Sequence, residues 1–168
     1  MSITFQINER LLRTIHEDLS RPHAFALERM GFISCRPTFD NKQNVIIVAR
    51  TYRPIQDNHY IDDPSYGALM NGDAIRMALE LSYNQNASIV HVHRHEHRGK
   101  PKLSRTDIME SNKFIPSFIN VRPLLPHATI VLSYNAMAGR CWLPNKKSPV
   151  PINKFIITKA SERLGVFV

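Results

Sequence analysis

The stretch Val90-His91-Val92-His93-Arg94-His95-Glu96-His97 places four of the chain's eight histidines at every second position, and this alternation constrains the fold more than any other segment. Extended backbone has a side-chain period of two, so a strand here lines up all four imidazoles on one face. A Gly99-Lys100-Pro101 turn follows, and Ser104-x-x-Asp107 then reads as the cap of a helix whose first turn carries an acid. Two of the histidines with Asp107 supply three ligands of a zinc site and leave one position for water.

A chain of 168 residues is read as a single domain over 1–168, long enough to bury a core without disulfides or a structural metal. A metal here therefore serves chemistry rather than folding. Cys35 and Cys141 are the only cysteines, too few and too far apart for a disulfide framework or a Cys-x-x-Cys zinc site. No charged-apolar-small leader opens the sequence and no apolar run approaches ~20 residues, so a cytoplasmic protein with no membrane partner is expected. Much of the net charge of +8 sits at Arg94, Arg98, Lys100, Lys102 and Arg105. Such a cluster can meet phosphates or an acidic protein surface, or stand as a solvated loop.

Residues 2–7 alternate like a short strand, and Leu11, Leu12, Ile15 and Leu19 recur at helical spacing. Pro22 suits the first turn of a second helix, carrying residues 24–28 and ending near Gly31. Residues 32–35 and 44–49 predict a hairpin joined by the polar turn at 39–42. The irregular stretch from Arg53 to Asn71, with its prolines and aspartates, has the length of a loop bordering a cleft. A helix is expected over 73–83, and the histidine strand starts at Ala87. After Ser104 a helix runs until Pro116 ends it. Strands are expected at 128–134, 140–143 and 152–158. The sum is an α/β (α+β) domain, a largely antiparallel or mixed sheet flanked by helices.

Glu28-x-x-Gly31, then His-x-His, then Ser104-x-x-Asp107, in this order and with a helix before the histidines, resemble the JAMM metalloprotease domain. This is also called the JAB or MPN domain, of cytidine-deaminase-like architecture, and the likeness is greatest to its bacterial branch. The resemblance implies a Zn2+ enzyme in which Glu28 is general base and acid without binding metal, Asp107 is the carboxylate ligand, and Ser104 serves the developing oxyanion. The family's proline after the second histidine is replaced, since Glu96 stands where the family spacing from Ser104 places that histidine. Choosing His93 and His95 needs a one-residue loop insertion and keeps the usual strand length; choosing His91 with His93 needs three. The first register is preferred and the second stays open.

The implied activity is that of an isopeptidase or peptidase releasing a ubiquitin-like protein from its conjugates or precursor. Activating and conjugating enzymes of a shared bacterial operon, in antiphage defence, are the implied partners. The ubiquitin-like tail is expected to lie against the wall formed by residues 52–70. Nucleic acid is not an expected partner of that enzyme. A different reading keeps the fold as a module without peptidase activity, binding nucleic acid through the basic loop or acting as a scaffold. A zinc deaminase lacks its Pro-Cys-x-x-Cys half here, and an amidohydrolase barrel needs a longer chain.

Overall fold

A computed structural model describes residues 1–42 and 44–159. The alternating Ile3, Phe5 and Ile7 form β1 (Ile3–Asn8), and the Asn8 side chain accepts the Leu11 N–H to start α1 (Glu9–Leu19). Strands β2 (Met30–Phe39) and β3 (Val45–Pro54) make the expected hairpin, each longer than the apolar pattern indicated. Its turn is organised by the Asp40 carboxylate, which accepts the backbone N–H of Lys42 and of Asn44. Helix α2 (Gly72–Gln85) is capped by Asn71 and stopped by Asn86 in the left-handed region. Then come β4 (Ser88–Arg94), α3 (Arg105–Val121), β5 (His127–Leu132), β6 (Met137–Trp142), β7 (Val150–Pro151) and β8 (Lys154–Thr158).

The eight strands among the described residues form one mixed sheet in the order β7-β6-β5-β4-β2-β3-β1-β8. Strand β4 pairs antiparallel with β2 and parallel with β5, so it is an interior strand and every one of its seven residues is buried. The two edges approach each other. Only Ile152 and Asn153 separate β7 from β8, and their N–H groups reach Gly139 O in β6 and Ile3 O in β1. Two residues span under about 10 Å, so the sheet must curl. Ile15 and Leu19 of α1 pack with Val90, Val92 and Ile130 on one face. The other face carries α2 and α3, whose Ala74, Ala78, Phe114 and Phe118 meet Phe32 and Ile89.

Two expected boundaries are overturned. No helix follows Pro22: residues 21–29 are irregular. The carbonyls of Arg21 and Pro22, which a helix would need, accept from Arg29 Nε at 2.8 Å and its NH2 at 2.6 Å instead. The N–H groups of Phe25 and Ala26 turn to His23 Nδ1. Nor does Pro116 end α3, which continues to Val121. An interior proline costs a helix about 3 kcal/mol, and burial of Phe114, Ile115 and Phe118 around it, each worth roughly 1.5–3 kcal/mol, offsets that. The final expected strand, 152–158, is β8 beginning two residues later, and the expected linker before it holds the short β7 at the opposite edge of the sheet.

Candidate metal centre

Because β4 is interior, its period of two sends Val90 and Val92 to the α1 face and His91 and His93 to the face of α2 and α3. The strand ends at Arg94 rather than running through His97. The row nevertheless continues, since the His95 N–H donates to Leu132 O at 2.9 Å and Tyr134 N–H to His97 O. Ring centroids step along it at 5.7, 5.1 and 6.1 Å from His91 to His97. Gly99, at φ +89°, then turns the chain toward α3 in a conformation that favours glycine.

The N-terminus of α3 delivers the carboxylate. Ser104 Oγ accepts the Asp107 N–H at 3.1 Å while Asp107 Oδ2 accepts the Ser104 N–H at 2.6 Å, a reciprocal cap. That cap holds Asp107 with Oδ1 3.3 Å from His93 Nε2 and Oδ2 3.7 Å from His95 Nε2. The two Nε2 atoms are themselves 3.3 Å apart. Ligand atoms bonded to one tetrahedral zinc at about 2.0–2.1 Å stand roughly 3.3–3.4 Å from each other. The three side chains expected as ligands in the preferred register stand together, the two histidines at such a spacing and each facing a different oxygen of Asp107.

Glu28 joins them from the other side, its Oε1 3.8 Å from His95 Nε2, and the ligand atoms of Glu28, His93 and His95 all lie within 4.8 Å of one another. Glu28, expected to stand clear of the metal, is thus placed among the side chains that could hold one. Glu28 stands in the irregular segment before β2, held by the Gly67 carbonyl, which accepts the N–H groups of Leu27 at 2.7 Å and Glu28 at 3.2 Å. The side chain of Glu28 is 29% exposed against 3% for His93, so it retains contact with solvent.

Electrostatics match. Burial raises the Asp107 carboxyl, but its hydrogen bond to His93, the His93 charge and the Ser104 donors outweigh that and leave it well below the usual carboxylate range. His91 is pulled down to about 3, by burial first and by the neighbouring His93 second, so it is a neutral imidazole near pH 7. Its Nδ1 lies 3.2 Å from Thr129 Oγ1 rather than near Asp107, so the alternative pairing of His91 with His93 is not the one the structure draws together around the carboxylate. His97 is exposed, its Nδ1 on the Arg98 carbonyl.

A cleft with about 180 Å³ open to water-sized molecules covers the cluster. It is lined by residues 65–70, by Thr106, Glu110 and Phe114 of α3, and by Met30 and His91. The expected border from the 53–71 loop is thus in place. The basic cluster is smaller than the sequence suggested. Arg94 is buried, hydrogen-bonded to Glu96 and the His16 carbonyl and stacked over Tyr134.

Several residues carry the site without a sequence signal. Gly67 and Arg29 position Glu28 through backbone contacts, and Thr129 engages His91 from the adjacent strand. The glycine of Glu28-x-x-Gly31 has a reason that only the tertiary structure reveals. A Cβ on Gly31 would lie 2.3 Å from the Tyr52 ring, which crosses it from β3.

No family model and no curated protein matches the chain. Among solved structures, the Trichoplax adhaerens STIL N-terminal domain aligns with a TM-score of 0.41 at 13% identity, over 83% of this chain and 41% of that one. The chain thus spans about two fifths of that structure's length, and a likeness this distant carries no argument. No helix among the described residues is long and apolar enough to cross a membrane.

Proposed function

We propose that this chain is a zinc-dependent isopeptidase or peptidase that hydrolyses the amide bond at the C-terminus of a ubiquitin-like protein, in its conjugates or its precursor. The observation carrying the reading is the meeting of His93, His95 and Asp107 at 3.3–3.7 Å with Glu28 beside them. His93 Nε2, His95 Nε2 and the Asp107 carboxylate would hold the metal. Zinc held there supplies Lewis-acid chemistry and makes water nucleophilic near neutral pH.

Glu28 takes a proton from the attacking water and delivers one to the nitrogen of the leaving amine as the C–N bond breaks. Ser104, whose Oγ already accepts the Asp107 N–H, keeps its hydroxyl proton free to donate to the substrate carbonyl oxygen as that oxygen gains charge. An extended chain end would lie along residues 65–70, which line the cleft over the cluster. The ubiquitin-like substrate, its activating and conjugating enzymes and the antiphage setting come with the resemblance to bacterial JAMM proteins, and the metal chemistry stands independently of them.

The test is metal per chain by elemental analysis, alongside cleavage of a ubiquitin-like protein carrying a C-terminal extension. One zinc in the parent, its loss in His93→Ala, His95→Ala and Asp107→Ala, and retained zinc with activity lowered at least 100-fold in Glu28→Gln are expected. Zinc that survives Asp107→Ala would sink the assignment.

A further inference from the structure

Two ring nitrogens in the histidine row, His91 Nε2 and His93 Nδ1, are enclosed by protein and have no hydrogen-bond partner. Their residues are 6% and 2% exposed, and the two rings are 5.7 Å apart at an interplanar angle of 35°. The surroundings are apolar, with Phe32 and Phe114 against the His91 ring. Leaving two polar atoms unmatched in such a place is costly. A histidine that ligates through Nε2 carries its remaining proton on Nδ1, and that N–H needs an acceptor.

Resting on the metal reading above, we propose that His91 is the positioning residue for His93. His93 Nδ1–H donates through one enclosed water to His91 Nε2, and His91 Nδ1–H in turn donates to Thr129 Oγ1, 3.2 Å away. Each ring N–H then has one acceptor, and the chain of bonds runs from the metal ligand to the neighbouring strand β5. In the reverse polarity, with Thr129 donating to His91 Nδ1, both N–H groups would donate to the water and leave its two protons facing apolar rings. The first member of the row, His91, is thus neither a ligand nor surplus. It holds the tautomer and ring orientation that His93 needs.

The test is zinc affinity, measured by competition with a chromophoric chelator, for the parent, His91→Phe, His91→Gln and Thr129→Val, with thermal melts reporting the fold. His91→Phe fills the aromatic box but offers no acceptor, and its affinity is expected to fall by about 10–100-fold. Thr129→Val, close in shape, is expected to bind several-fold more weakly. His91→Gln places an amide oxygen near the lost Nε2 and recovers part of the affinity. In the zinc-loaded, 15N-labelled parent the His93 Nδ1–H gives a slowly exchanging proton resonance, and His91→Phe loses it, which a purely structural role would not produce.

Parental affinity and an unchanged His93 resonance in both His91→Phe and Thr129→Val would overturn the proposal while leaving the metal reading intact. A parent that takes up no zinc overturns both.

Discussion

The carbonyl oxygen of Gly67 accepts the backbone N–H of Glu28 at 3.2 Å, and a Cβ built on Gly67 would lie 3.6 Å from the Glu28 carboxyl carbon. The loop after β3 therefore sets where the carboxylate stands. Alanine at 67 makes only ordinary contact, whereas the branched side chain of Gly67→Val pushes Glu28 off its place. Near-parental turnover for Gly67→Ala, and a drop of tenfold or more with unchanged zinc content for Gly67→Val, are expected in the fusion-cleavage assay.

Gly31 should tolerate no side chain. The Tyr52 ring that lies across it is tethered through its hydroxyl to Asp18 Oδ2 at 2.6 Å, so moving the ring sacrifices a hydrogen bond. Gly31→Ala is expected to destabilise the fold by about 1–3 kcal/mol through overpacking. Urea unfolding reads this, and an unchanged midpoint would contradict the packing argument.

Arg29 replaces the helix expected after Pro22. Its guanidinium is 3% exposed and bonds Arg21 O, Pro22 O and Asp57 Oδ1. An ammonium cannot reproduce this fork. Arg29→Lys is expected to lower stability by roughly 2 kcal/mol and to reduce turnover, because the segment it ties down carries Glu28. Equal stability and rate in Arg29→Lys would show that the segment needs no such tie.

His127 makes stability depend on acid pH. Its Nδ1 accepts the Ile89 N–H at 3.1 Å, and burial pulls its pKa from the ordinary 6.5 down to about 4. The unfolded chain then binds the proton more readily than the folded one. The neutral His127 contribution is complete above pH 6.5, falls as pH drops through that value, and is gone below about 4. The loss amounts to roughly 3 kcal/mol over that window. Melting temperatures taken between pH 7.5 and 4 should fall in the parent and fall less steeply in His127→Asn, whose amide oxygen can still accept from Ile89.

Metal removal should matter more for activity than for folding. The core on both faces of the sheet is complete without the cluster. Chelation is expected to abolish cleavage, with zinc restoring it, while the circular dichroism spectrum stays native. Collapse of the spectrum on chelation would assign the metal a structural role instead.

The sequence by itself determined the local features, because each rests on neighbours in the chain. The alternation of the histidines put His91 and His93 on one face of β4, the Ser104-x-x-Asp107 spacing made the reciprocal cap at α3, and the polar run at 39–42 turned the hairpin. The period of two does not depend on what surrounds the strand. Nor does a capping box.

Only the tertiary structure decided the rest. The segment from Arg21 to Arg29 has helical composition, yet a guanidinium eight residues from Arg21 takes the carbonyls that the helix required. Pro116 sits within α3 because aromatic burial on both sides outweighs the lost bond. The short β7 pairs at the edge opposite β8 because the sheet curls enough for two residues to cross the gap. Among four histidines equal in sequence, what each meets came from other elements: Asp107 of α3 faces His93 and His95, and Thr129 of β5 faces His91. Spacing along a chain sets which face a side chain takes, and only long-range packing sets what that face meets.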